Sequence, residues 1–174
     1  MIVIIIGTNR PNAVSKQIAE YYKSILEINN EKSIILDLEK LPDDFIKTAL
    51  YHNSGKNELF NEFRKIIEEN DKFIFIIPEY NGSYPGVLKA FVDGLKYPDA
   101  MQYKKAALVG LSSGVQGGAM ALSHFSDVLS FMLVNQIGLQ VKLGNIKEHL
   151  IEGKITFDIY NQLIENQIKQ LIKF

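Results

Sequence analysis

Four or five short apolar runs alternate with stretches whose apolar positions recur every three or four residues. Ile2–Ile6 is an unbroken β-branched run that stops at Gly7, the pattern of a strand buried on both faces. Ile18, Ala19, Tyr22, Ile25 and Leu26 then follow at helical spacing, which predicts a helix from Asn12 to about Ile28. Ser33–Leu38 reads as a second strand. Lys40–Lys56, with Pro42, Asp43, Asp44, Asn53 and Gly55, reads mainly as loop. Leu59, Phe63, Ile66 and Ile67 mark a helix, and Phe73–Ile77 a third strand that Pro78 stops. Val87, Leu88, Phe91, Val92 and Leu95 mark a short helix, and Ala106–Leu111 a fourth strand. Leu122, Phe125, Leu129 and Met132 predict a longer helix through about Asn135, and Leu139–Leu143 a fifth strand. Asn145–Thr156 is polar with one short apolar patch and reads as a surface connection. Ile159, Leu163, Ile168, Leu171 and Ile172 close the chain as a helix.

The predicted order is strand and helix in strict alternation. Apolar strands separated by helices imply an α/β fold with a parallel sheet covered on both faces. Five such strands fit a doubly wound sheet of order 2-1-3-4-5, with right-handed crossovers. Residues 1–174 are expected to form one domain. In this order strands one, three and four are neighbours, and the loops at their C-terminal ends surround the switch point where open α/β sheets bind ligands.

Composition narrows the chemistry. The 174 residues carry a formal net charge of −1, so binding of nucleic acid through phosphate neutralisation is not expected. There is no cysteine, which excludes disulfides, thiolate metal sites and a cysteine nucleophile. His52, His124 and His149 are scattered without metal-ligand spacing, and no metal is expected. No apolar stretch is long enough to span a bilayer, so the expectation is a cytoplasmic protein without a membrane partner.

Each of the three switch-point loops carries binding chemistry. The first, Gly7-Thr8-Asn9-Arg10-Pro11-Asn12-Ala13-Val14-Ser15, leads from strand one into a helix N-terminus, where free amides and the helix dipole favour a phosphate. Thr8 and Ser15 add hydroxyls. Arg10, one of only two arginines in the chain, adds a cation able to bind phosphate bidentately. The loop matches neither GxGxxG nor GxxxxGK[ST], which disfavours a classical dinucleotide or nucleoside-triphosphate site. The second loop, Pro78-Glu79-Tyr80-Asn81-Gly82-Ser83-Tyr84-Pro85-Gly86, joins an irregular backbone to flat tyrosine faces. Such a surface suits a planar heterocycle. The third, Ser112-Ser113-Gly114-Val115-Gln116-Gly117-Gly118, has glycines that permit close backbone approach.

GTNRPNAVSKQIA, PEYNGSYPGVLKAFVDGL and SSGVQGGAMAL together resemble the NADPH-dependent FMN reductase family, which includes azo, quinone and chromate reductases. With the element order, the resemblance covers nearly the whole chain and implies a flavodoxin-like fold. It implies that Thr8, Arg10, Ser15, Lys16 and Gln17 bind the FMN phosphate. Pro78, Glu79, Tyr80, Asn81 and Ser83 would hold the isoalloxazine, with Ser112 and Gly114 approaching from the third side. It further implies NAD(P)H as co-substrate, a small-molecule electron acceptor, and a homodimer or homotetramer. Thr8 stands where the family usually has serine, which keeps the hydroxyl. Gly82-Ser83 stands where many members carry a bulkier pair, which alters the substrate-facing wall. The residues show no acid–base constellation, and none is needed, because flavin N5 carries the hydride.

Two other readings remain. Gly110-Leu111-Ser112-Ser113-Gly114 matches the GxSxG elbow of serine hydrolases, with Asp127 and His149 following in the right chain order. A flavodoxin-like electron carrier without a substrate of its own is the other, although such carriers are typically acidic and lack an arginine like Arg10 in the phosphate loop.

Overall fold

In the computed structural model, which describes residues 1–174, the run Ile2–Ile6 forms β1, and all five of its side chains are buried. β1 pairs in parallel with β2 (Ser33–Asp37) on one side and β3 (Lys72–Pro78) on the other, and β4 (Lys105–Leu111) continues beyond β3. The order is β2-β1-β3-β4-β5, the flavodoxin-like arrangement expected from the alternation of elements.

The two faces of β1 feed two cores, as alternate side chains of a strand must. Ile2, Ile4 and Ile6 pack with Ile18, Tyr22 and Leu26 of α1 (Val14–Ile28) and with Ile164, Ile168 and Leu171 of the C-terminal helix, α6 (Asp158–Lys173). Val3 and Ile5 face the other way. Phe60 of α3 (Glu58–Glu68), Phe91 of α4 (Gly86–Asp93) and Phe125 of α5 (Ala119–Phe131) complete that second core. Lys40–Lys56 is mainly loop, as expected, with one short helix, α2 (Phe45–Thr48), and a 3₁₀ turn at Tyr51–Asn53.

The fifth place in the sheet is taken by two short strands, of which only the second falls within the expected Leu139–Leu143. β5 (Asn135–Gln136) lies opposite Lys105 and Ala106, and β6 (Val141–Leu143) lies opposite Val109 to Leu111. The Ile137 amide still donates to the Ala106 carbonyl (2.9 Å), and residues 138–140 leave the ladder between them. Both pieces lie beside β4, and Leu108 falls in the gap. Its carbonyl accepts instead from the side-chain amide of Gln167, 2.9 Å away, on α6. The same Nε2 donates to the Leu139 carbonyl (2.7 Å), and Gln167 Oε1 accepts from the Tyr22 hydroxyl (2.9 Å). Gln167 is fully buried, so its wiring to three partners replaces the missing strand bonds and stabilises the detour.

Two further expectations are corrected. The helix expected to run to Asn135 stops at Phe131. Leu133 turns into the left-handed region (φ 58°), and the Val134 amide donates to the Leu129 carbonyl (3.0 Å), a Schellman-type end that redirects the chain into β5. Asn145–Thr156 is more than a surface connection. It forms an antiparallel hairpin, β7 (Leu150–Ile151) and β8 (Lys154–Ile155), around Glu152-Gly153, both at positive φ. Ile146 and Ile155 of this segment are buried against the α1–α6 face. No helix is long and apolar enough to cross a membrane.

Candidate active site

The C-terminal ends of β1, β3, β4 and β6 open into one cleft of about 410 Å³. The first loop and the start of α1 supply one wall, from Arg10 to Ser15. Pro78, Glu79 and Tyr80 after β3 form the floor, and Leu111 to Ser113 after β4 form the next side. Ile146 and Lys147, from a 3₁₀ turn after β6, complete the lining.

The α1 end of the cleft is built for an anion. α1 has no side-chain N-cap, and the amides of Asn12, Ala13, Val14 and Ser15 donate to no backbone carbonyl. These are the orphan donors that every helix start presents. The Ser15 hydroxyl is buried in this wall without a hydrogen-bond partner. An orphaned buried hydroxyl is costly, and an oxyanion seated at the helix end relieves it. Arg10 lies exposed at the mouth, and its backbone amide donates to the Thr8 hydroxyl (3.2 Å).

Thr8 itself is buried beneath the loop, where its hydroxyl also meets the Tyr80 hydroxyl at 3.0 Å. This contact ties the first loop to the second across 72 residues of sequence. Thr8→Val removes both partnerships at once. It is expected to lower stability by about 1–2 kcal/mol in urea unfolding, whereas Thr8→Ser stays close to wild type.

The second loop is a tight hairpin turn. Tyr80 and Ser83 exchange backbone hydrogen bonds (2.8 and 3.1 Å), and Asn81 and Gly82 sit at φ 52° and 75°. This is the Asn-Gly turn that two positive φ values demand. Asn81 and Gly82 are exposed at its tip. The Ser83 hydroxyl bonds His124 Nδ1 on α5 (3.0 Å), so the turn leans on that helix. Glu79 is also committed to α5, accepting from the Met120 amide (3.2 Å) near the helix start. Tyr84 serves the core. Its ring meets Phe125 edge-on at 5.3 Å, and burial pushes its hydroxyl pKa up.

In the third loop, the Ser112 hydroxyl donates to the Gly114 carbonyl (2.9 Å). Gly117 and Gly118 take positive φ and press against β6 and β4, so their close approach is to the protein's own backbone. Gly114 differs, because a Cβ there would meet nothing within 4 Å. Neither packing nor left-handed backbone requires that glycine.

Of the residues singled out in the sequence, Arg10, Ser15, Pro78, Glu79, Tyr80 and Ser112 share the cleft wall. Thr8 supports it from below. Lys16 turns away. Its ammonium pairs with Glu39 and with Asp37 (3.1 Å), and those bonds hold its pKa above the ordinary lysine value. Gln17 is exposed on the first turn of α1. Asn81, Ser83 and Gly114 stand outside the lining, on the turn and the loop that flank it. Lys147 carries no local mark in the sequence, and only the fold brings it to the cleft.

The hydrolase constellation does not assemble. His149 stacks on Phe157 at 4.8 Å, and Asp127 lines a separate groove between α4 and α5. Ser112 has only its own loop carbonyl as partner.

A model of the family described as NADPH-dependent FMN reductase matches residues 1–148. The chain belongs to this family. Members are oxidoreductases that use FMN and NAD(P)H. A 2-hydroxy-1,4-benzoquinone reductase of Burkholderia sp. is 29% identical over 150 residues, covering 81% of this chain and 78% of its own. An NADPH azoreductase of Bacillus sp. is 26% identical over 173 residues, covering 98% and 89%. Among solved structures, the flavoenzyme NAD(P)H:(acceptor) oxidoreductase of Paracoccus denitrificans superposes with a TM-score of 0.82. It covers 99% of this chain and 94% of its own at 21% identity, and this likeness shows the fold. The orphan Ser15 hydroxyl and the free α1 amides fit the phosphate of the family's cofactor.

Proposed function

We propose that this FMN reductase passes reducing equivalents from NAD(P)H to a small quinone, azo or flavin acceptor, and that donor and acceptor use one site in turn. Residues 1–174 act as one FMN-binding domain. The observation that carries this reading is the meeting, in one cleft, of an anion site at the start of α1 and a flat, tyrosine-walled floor after β3.

The geometry supports a division of labour. Arg10, the Ser15 hydroxyl and the α1 amides bind the phosphate, with Thr8 fixing the loop that presents them. Lys16 and Gln17 act from the first turn of α1, Lys16 by neutralising Asp37 and Glu39 beside the loop. Pro78, Glu79 and Tyr80 support the ring, and the Asn81–Ser83 turn walls its open face. Ser112 and Gly114 approach its third side. Bound FMN supplies the hydride chemistry, and the chain supplies binding, orientation and fixed donors.

The chain has no GxGxxG segment to hold a nicotinamide nucleotide elsewhere. The oxidised nucleotide therefore leaves before the acceptor enters. Double-reciprocal plots of rate against NAD(P)H at several fixed quinone concentrations are expected to give parallel lines. Intersecting lines would show both ligands bound together and defeat the single-site mechanism.

A further inference from the structure

Lys147 is a cleft residue to which neither the sequence motifs nor the family resemblance gives a role. It sits on the turn Ile146–Glu148, after the strand farthest from β1 in the switch-point row. The turn nevertheless folds back over the α1 side of the sheet. Ile146 is buried in the same core as Ile18, Ala19 and Tyr22 of α1. Two backbone bonds pin the turn to the third loop, from Asn145 to the Gly114 carbonyl (3.1 Å) and from Ile146 to the Ser112 carbonyl (3.3 Å). The backbone that carries Lys147 is thus fixed, and Lys147 lines the cleft together with Arg10 and Ser15.

The charges of that lining are unbalanced. Arg10 and Lys147 are its two cations, and neither has a carboxylate within ion-pairing distance. Glu79 is its one carboxylate and is engaged at the start of α5. The free N-terminus of α1 adds partial positive charge. A lining with a formal charge of +1, joined by the positive helix end, favours an anion in a chain whose net charge is −1. Lys16, the lysine nearest in sequence to the phosphate loop, is held by Asp37 and Glu39 instead.

We propose that Lys147 is the second cation of the cleft and that it, in place of Lys16, joins Arg10 in holding a dianionic phosphate monoester. The inference rests on the reading of the cleft as the FMN site. It makes Lys147 a specificity residue for a terminal phosphate, one that favours FMN over riboflavin.

The test is titration of the apoprotein with FMN and with riboflavin, followed by flavin fluorescence, for wild type, Lys147→Gln, Lys147→Arg and a distant control, Lys173→Gln. Lys147→Gln is expected to raise the FMN Kd roughly three- to tenfold and to leave the riboflavin Kd within about twofold. Lys147→Arg restores FMN binding. The gap from wild type closes in about 1 M salt, where the screening length falls to about 3 Å. Lys147 is exposed, and thermal melts of the apoprotein are expected to coincide. An unchanged FMN Kd, an equal loss for FMN and riboflavin, or an equal loss in Lys173→Gln would each overturn the assignment. Failure of the wild type to bind FMN would instead overturn the reading of the site itself.

Discussion

Arg10→Ala is expected to weaken FMN binding by about 1.5–3 kcal/mol, or roughly ten- to 150-fold in Kd, the range of a charge-assisted hydrogen bond. Arg10 is exposed at the cleft mouth, and no carboxylate pairs with it. Its removal therefore strands no charge, and the urea midpoint of the apoprotein stays where it was. Only its backbone amide serves the loop, through Thr8, and alanine keeps that bond. Arg10→Lys recovers part of the affinity, because an ammonium cannot form the two parallel bonds of a guanidinium. The loss belongs to binding, so the rate at saturating FMN changes little. Calorimetry that returns the wild-type Kd for Arg10→Ala would remove this residue from the site.

The largest loss of stability is expected from Gln167→Leu, at about 3–5 kcal/mol in urea unfolding. Three groups, two buried and one half-buried, lose their partner at once. These are the carbonyls of Leu108 and Leu139 and the hydroxyl of Tyr22. Leucine fills a similar volume and satisfies none of them. Tyr22→Phe removes one of the three bonds and strands only the Gln167 Oε1 acceptor, so it costs less, about 1–3 kcal/mol. A Gln167→Leu protein with the wild-type midpoint would show that the break between β5 and β6 holds without the amide.

The contrast between these two residues shows what the linear sequence carries. β1, β3 and β4 are legible because strands buried on both faces must be apolar along their whole length, as Ile2–Ile6 and Phe73–Ile77 are. The three switch-point loops are legible because they follow such runs directly, so the strand order alone brings Arg10, Ser15, Tyr80 and Ser112 near one another. The divided strand is not legible. Its cause is Gln167, which lies 28 residues beyond Leu139 and 59 beyond Leu108. In sequence it is one polar position on an amphipathic helix. The hairpin after β6 reads as surface because its two buried anchors, Ile146 and Ile155, sit among charged residues. Lys147 is hidden with it. The pairing of Lys16 with Asp37 and Glu39 is equally hidden, since it joins residues more than twenty positions apart. The Asn81-Gly82 turn does carry a local signal, because an Asn-Gly pair is the strongest short-range mark of a two-residue hairpin.

In the proposed reaction this cleft holds FMN and exposes it to a nicotinamide donor and then to an acceptor. The most direct measurement is an anaerobic absorbance titration of the purified protein with FMN, followed by NAD(P)H and then by a quinone. The expected result is saturable binding of one FMN per chain, loss of the flavin's visible absorption when NAD(P)H is added, and its return when the quinone follows. A protein that binds no FMN, or whose bound FMN keeps its visible absorption in the presence of both NADH and NADPH, would contradict it.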